Sequence, residues 1–405
     1  MLSPTSKIYL KIVLAAVFIE SLAHASVYFL LIFKLSSTAN SWSLTAIALT
    51  SALTGVILAA PLGNLVDRMS LRPLWLGSII VSILSVFLLS ISESLILWIL
   101  LVVIYSAAGV ISGSVVFKAL PRIEGITPEK ASSFLVSTGA LVGILSPLLA
   151  SLLYALAPNH SFIPLIILLA ACFLIIFKAA PQGAPPELDS ISWKDALLGI
   201  KVISNNHHII YYLPIMLLVV LSTSVEDLSG VVYLQDIGGN FISPLFPSFP
   251  GDPGAIAYSA LVASWSVGTL MGAHLTEQKL FKLSPAASLK IGGFIISLAI
   301  FAEGFFPSPV LITLFFFLGG AGNAVHNVGI RNLVYTEVAE QNQGQAWAMI
   351  GATFTVFSSI GQFLGTPYLL GEPQQVIMYS GLFPMVIIAL FTLGMVYLRR
   401  NKINR

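Results

Sequence analysis

The chain has 405 residues, of which 57% are hydrophobic and only 9% charged, with one cysteine and a formal net charge of +2. Its mean hydropathy of +0.94 falls outside the range of soluble globular chains, in which about 25% of residues are charged. These values exclude an ordinary soluble domain and a disulfide framework within one chain, and the near-neutral charge offers no footing for a nucleic-acid partner.

A helix in hydrocarbon must satisfy its own backbone hydrogen bonds and needs about 20 apolar residues to cross the bilayer. Apolar runs of that length, bounded by charges, turns or prolines, predict twelve spans. They lie at roughly 8–33, 43–66, 73–92, 95–117, 132–156, 161–178, 209–234, 255–273, 286–306, 308–330, 343–370 and 374–398. The expected class is an all-α membrane protein with lipid as its first partner. Lys and Arg are retained on the cytoplasmic side. They gather in the even-numbered connections and in the tail, from Arg68 and Arg72 to Arg399 and Arg400, whereas the odd-numbered connections hold only Lys34. Both termini are therefore expected in the cytoplasm, in a cell (inner, cytoplasmic) membrane.

Lys7 and Lys11 precede an apolar run that reaches Ala23-His24-Ala25, the outline of a cleavable leader. The run continues through Phe33 and carries Glu20, so a retained first span is expected. Glu20 and His24 are four residues apart and share one helix face. An acid at bilayer depth costs about 2.5–3.5 kcal/mol on insertion scales, so Glu20 is expected to face a cavity. The pair has the chemistry to load and release a proton; a helix-locking hydrogen-bonded pair is the alternative.

Between spans two and three stands Gly63-Asn64-Leu65-Val66-Asp67-Arg68-Met69-Ser70-Leu71-Arg72-Pro73. A glycine that lets helices approach, an acid at a helix end and two bases can latch one conformation through charge-assisted bonds, so Gly63, Asp67, Arg68 and Arg72 are the candidate latch. The stretch resembles the loop-two signature of the major facilitator superfamily, with Ser70 in place of a glycine and Pro73 in place of a base. That resemblance implies two pseudo-symmetric six-helix bundles that rock about a central site lined by spans one, four, seven and ten. The expected domains are 1–178, a cytoplasmic linker at 179–208 with a short amphipathic stretch, and 209–405. An internal echo agrees: Lys118-x-Leu120-x-x-x-Glu124 after span four returns as Arg331-x-Leu333-x-x-x-Glu337 after span ten.

Span four offers Tyr105, Ser106 and Ser112 as neutral hydrogen-bonding groups. After it, Lys118 to Pro128 and then Gly139-x-x-x-Gly143-x-x-x-Pro147 resemble the efflux branch that holds enterobactin exporters and macrolide efflux proteins. The span-five antiporter signature is only partly kept, with Pro147 one residue early and Ala150 and Ser151 in place of glycines. His207 and His208, which follow Asn205 and Asn206, are expected to cap the entry to span seven, with a metal role as the alternative.

In span seven, Glu226 and Asp227 are neighbours and point about 100° apart, so at most one faces a given site. Ser222, Thr223, Ser224 and Gly230 around them have the composition of a helix that bends or breaks beside a cavity. The connection from Gln235 to Gly254, rich in Pro, Phe and Gly, is expected to be an external cap, and Glu303 is expected near an external helix end. Span ten carries Gly319-Gly320-Ala321-Gly322-Asn323-Ala324-Val325-His326-Asn327, suited to close approach and polar contacts. Glu20, His24, Tyr105, Glu226, Asp227, Asn323, His326 and Asn327 are thus the candidate substrate- and proton-binding residues.

No nucleotide loop, nucleophile elbow or zinc-protease helix is present in the sequence, so an enzyme is not expected, nor a cofactor. Three functions fit. The first is proton-gradient-driven export, by antiport, of a small organic molecule such as a siderophore or drug, by a monomer. The second is a divalent-metal exporter resembling ferroportin, with Glu20, His24 and His326 as ligand types. The third is a non-transport membrane protein, for which a loop-two latch would have little use.

Overall fold

The computed structural model describes all residues except 1–3, 37–40, 121–127, 180–200, 202, 245–251, 278–282, 340–342 and 404–405. Twelve long helices are described: α1 Pro4–Ser36, α2 Ser41–Arg68, α3 Leu71–Ile91, α4 Leu95–Ala119, α5 Pro128–Leu156, α6 Ile163–Ala179, α7 His207–Ile242, α8 Pro253–Glu277, α9 Pro285–Phe305, α10 Pro309–Glu337, α11 Gln343–Leu364 and α12 Pro373–Ile403. Among the described residues nine stretches are long and apolar enough to cross a membrane, and three shorter apolar ones, Trp42–Leu58, Ile163–Lys178 and Met349–Leu364, lie in α2, α6 and α11.

The helix ends follow local chemistry. Proline opens α8, α9, α10 and α12, where its missing N–H is no loss and its fixed φ suits the first turn. Asn206 caps α7, its Oδ1 accepting from Ile209 N at 3.0 Å, while its Nδ2 donates to Glu337 O at 2.7 Å. His207 and His208 are exposed first-turn residues. α7 is continuous through its serines and Gly230 and runs on to Ile242, so it neither breaks beside Glu226 nor stops at Leu234. The serines serve neighbouring helices instead: Ser222 Oγ donates to Ser380 O at 2.7 Å, Ser224 meets Ser358 at 2.8 Å, and Ser229 donates to Gly365 O at 2.8 Å.

The chain divides into two compact units, Met1–Ile191 with Ser248–Ser259, and Ser192–Pro247 with Ala260–Arg405. Much of the expected linker lies outside the described residues. In the first unit α1 packs on α5 and α6, α3 on α4 and α6, and α2 on α4. The second repeats this order: α7 packs on α11 and α12, and α9 on α10 and α12, while α8 meets α10 where Gly268, Gly272 and Gly320 bring backbones together. An internal repeat is therefore visible in which helix meets which. Large apolar side chains such as Leu84, Ile96 and Leu100 stay exposed, as expected where the surrounding solvent is hydrocarbon.

Candidate functional site

Glu20 is only 4% exposed in the middle of α1. Its position follows from helix periodicity: Val13, Ala16, Val17 and Glu20 lie on one buried stripe of α1. Trp75 Nε1 of α3 donates to Glu20 Oε2 at 2.8 Å, and Ser112 Oγ of α4 donates to Oε1. Both carboxyl oxygens are thus held by neutral donors from two other helices. Such donors satisfy the group without supplying a counter-charge.

His24 lies one turn further along α1. Its Nδ1 is 3.2 Å from Glu20 O. A carbonyl can only accept, so Nδ1 carries the hydrogen and, in the neutral ring, Nε2 is the acceptor. Ser82 Oγ of α3 lies 3.3 Å from Nε2 and can donate to it. The hydroxyl can instead turn and accept if the ring becomes a cation, so the site tolerates both states. Tyr105 stacks on the imidazole at 4.6 Å with 15° between the planes, and its hydroxyl has no hydrogen-bond partner. Gly109 leaves room for the ring: a Cβ there would stand 3.4 Å from His24 Cδ2.

Beside these groups lies a cavity of about 400 Å³, lined by Glu20, Ser21, His24, Gly109, Ser112 and Gly113 among others. α1 is fixed around it by Cys172 Sγ of α6, which donates to Ala16 O at 3.3 Å, and by its own Ser26 Oγ, which donates to Ser146 O of α5 at 3.4 Å. The structure therefore brings Glu20, His24 and Tyr105 together in the first unit. Ser106 goes elsewhere, donating to Ser51 of α2 at 3.4 Å.

Of the candidate latch, Gly63, Asp67 and Arg68 end α2, and their side chains lie outside the described residues. Arg72 donates from Nη2 to Phe177 O and lies over the Phe177 ring at 5.6 Å, tying α3 to the end of α6.

In the second unit the candidates do not converge. His326 Nδ1 donates to Leu289 O of α9 at 2.7 Å, and its Nε2 is buried without a partner. The ring occupies the space over Gly293, where a Cβ would approach within 3.2 Å. Asn327 Nδ2 donates to Asn323 O at 3.0 Å and to its Oδ1 at 2.9 Å, so the two amides serve each other along α10. The glycines around them are sites of contact: a Cβ at Gly320 would lie 1.9 Å from Trp265 O, and one at Gly292 would lie 2.4 Å from His326 N. Glu226 is buried and Asp227 exposed, as their 100° offset requires. Among the described residues no group of three or more His, Cys, Asp or Glu side chains is placed to hold a metal ion.

Three residues were not anticipated. Trp75 and Ser82 belong to a buried stripe on α3, Trp75, Ser78, Ser82 and Ser85, whose spacing of three and four marks one helix face. A buried indole N–H also calls for an acceptor. The third is Glu303, which sits near the end of α9 as expected but is only 1% exposed.

Residues 12–366 match the family described as Major Facilitator Superfamily. Among solved structures, the nucleoside transporter NupG is 17% identical with a TM-score of 0.73, covering 95% of this chain and 98% of its own. A POT family transporter in complex with a thioalcohol-conjugated peptide is 12% identical with a TM-score of 0.74, covering 96% of each chain. A bacterial homolog of the human lysosomal transporter Spinster, inward-facing and unoccupied, is 12% identical with a TM-score of 0.62, covering 97% and 96%. At these identities the likeness is one of fold. No curated protein matches the chain by sequence.

Proposed function

Since the chain belongs to the Major Facilitator Superfamily, we propose that it is a secondary active transporter that exports a small organic molecule across the cell membrane, with Glu20 carrying the coupling proton. The observation that carries the reading is Glu20 itself: a carboxyl 4% exposed, held by Trp75 and Ser112 and bordering a cavity of about 400 Å³. An acid inside a membrane span is costly to keep, and such residues mark ion and substrate paths.

The chemistry is a proton exchange at a fixed carboxyl. When ionised, Glu20 accepts from the indole N–H and the Ser112 hydroxyl. When protonated it becomes a donor, and the Ser112 hydroxyl is free to turn and accept while Trp75 keeps its bond. In neither state is the carboxyl left without a partner. His24, whose ring also lines the cavity, can take up or pass on a proton through the same hydroxyl rotation at Ser82. Tyr105, buried behind His24 and stacked on it, holds the imidazole in place beside the cavity.

A cavity of that size suits a molecule of drug-like or siderophore-fragment dimensions. The inner-loop resemblance to efflux proteins supports export, and the distribution of Lys and Arg supports cytoplasmic termini. The similar folds named for nucleosides and a conjugated peptide support organic cargo over a metal ion.

The test uses sealed vesicles holding a pH gradient and a panel of fluorescent organic molecules. A transported compound should dissipate the gradient with the wild-type protein and fail to do so with Glu20→Gln. Transport that leaves the gradient intact, together with a silent Glu20→Gln, would sink the proton-coupling reading.

A further inference from the structure

The second unit holds two buried acids, and their placement can be derived from α7. Val219, Glu226 and Tyr233 are spaced by seven, close to two turns, so they share one stripe of that helix. Both ends of the stripe face α9: a Cβ at Gly293 would meet Val219 at 3.1 Å, and Tyr233 Oη donates to Glu303 O at 3.3 Å. α7 and α9 therefore run side by side in the same direction, with Glu226 midway along the contact. Gly230 lies one turn beyond Glu226, and a Cβ there would come within 2.8 Å of Glu226 Oε1, so the carboxyl lies over the glycine on the side towards Tyr233. Glu303 lies at the level of the Tyr233 hydroxyl, the direction in which the Glu226 carboxyl extends. The two are near enough for their charges to act on each other.

Among the described residues, no basic side chain pairs with either carboxyl. Glu303 is 1% exposed and its Oε1 has no hydrogen-bond partner. Two donors bonded to this end of α9 serve backbone carbonyls: Tyr233 bonds Glu303 O, and Gln374 Nε2 of α12 donates to Gly304 O at 2.9 Å. Asp227 adds a third negative charge from the exposed side of α7. Of the other helices packed against α9, α10 contributes His326, which lies at the level of Leu289 and Gly293, far from Glu303. Lys290 of α9 itself precedes Glu303 by more than three turns.

Two buried carboxylates side by side repel and each lacks solvation, so one of them is expected to be neutral or a cation must lie between them. A metal ion would need several further oxygen ligands, and no group of three ligating side chains is placed to hold one among the described residues. We propose that Glu226 and Glu303 hold one proton between them, forming a proton-binding pair in the second unit. The protonated carboxyl donates to its ionised partner, which satisfies Glu303 Oε1 and removes one of the two charges. The pair does not depend on the role of Glu20, which belongs to the first unit.

The test is pH-difference infrared spectroscopy on the full-length protein in detergent, read at the C=O stretch of a protonated buried carboxyl. One such signal should be lost in Glu226→Gln and equally in Glu303→Gln, and should persist in Glu20→Gln. A signal that survives both substitutions overturns the proposal; one lost only in Glu20→Gln overturns it while leaving the transport reading intact. The wild-type protein supplies a check that needs no variant to fold. Its thermal midpoint should fall as pH rises, because losing the shared proton leaves two like charges buried, and should not respond to sodium at constant ionic strength. A saturable rise with sodium would mean that the pair holds a metal cation, and the proton proposal would fail.

Discussion

The two units use the same helix pairings but different small residues at the contacts. In the first unit a Cβ built at Gly55, Gly77, Gly113 or Gly139 meets nothing within 4 Å. In the second, a Cβ at Gly268, Gly304, Gly320 or Gly381 would run into the backbone of a neighbouring helix within 2.6 Å. At these glycines the helices of the second unit touch backbone to backbone, although Gly351 and Gly394 there also meet nothing within 4 Å, and its His326, Asn323 and Asn327 side chains are absorbed into the packing. The first keeps its helices further apart around Glu20 and His24 and retains a cavity between them. One repeat is thus compatible with two tasks, because helix order is set by the apolar faces while the size of the contact residues sets how closely the helices approach.

This contrast is most exposed to failure at the glycines. Gly320→Ala must push Trp265 O away from 1.9 Å, and a backbone shift of that kind costs at the upper end of about 1–3 kcal/mol. The expected result is a large drop in thermal midpoint in detergent, with poor recovery of folded protein. Gly77→Ala, at the middle of α3 with open space around it, should instead gain about 0.5–1 kcal/mol from reduced backbone entropy. Equal effects at the two positions would erase the distinction between the units.

A smaller loss is expected at the Glu20 site. Trp75→Phe keeps most of the packing but deprives Glu20 Oε2 of its donor, at a cost of about 1–3 kcal/mol. In a Glu20→Leu background the same substitution should cost much less, a coupling that a double-mutant cycle on the unfolding transition would measure. Additive effects would show that the indole contributes only by packing.

The smallest effect belongs to Tyr105→Phe. The hydroxyl is buried without a partner, so its removal should leave the thermal midpoint unchanged or slightly higher, with the ring still stacked on His24. A marked destabilisation would show that the hydroxyl is bonded, and the cavity would then be more polar than its lining residues indicate.

Much of the fold was legible because hydrocarbon leaves the backbone few options. Runs of apolar residues in the sequence correspond to the helices, and errors sit at the ends, as where α7 continues to Ile242 and α11 stops at Leu364. The cap of α7 is Asn206 and not the two histidines expected there, because the short amide reaches Ile209 N three residues on while His207 and His208 already belong to the first turn. The candidate site was legible in part. Glu20 and His24 stand out as polar groups in an apolar run, and Ser112 as a neutral partner. Trp75 was harder to find because a tryptophan in a membrane span is more often packing than partner. Glu303 was passed over because position near a helix end suggests exposure, and only the helices around α9 bury it. Of the bend or break expected in α7, the structure shows no break, because its serines bond to Ser358, Gly365 and Ser380 and leave the helix continuous.

By itself, the sequence determined the number and order of the spans and the polar residues that had to be sheltered from lipid, because hydropathy and the need to satisfy every backbone group act along the chain. It also set which residues share a helix face, through the 3.6-residue period. The partner opposite each face was decided by tertiary structure alone. Trp75 and Ser112 meet Glu20 across three helices, His326 finds a carbonyl on α9, and Tyr233 of α7 reaches Glu303 O, through contacts between residues far apart in the chain, which depend on how closely neighbouring backbones can approach.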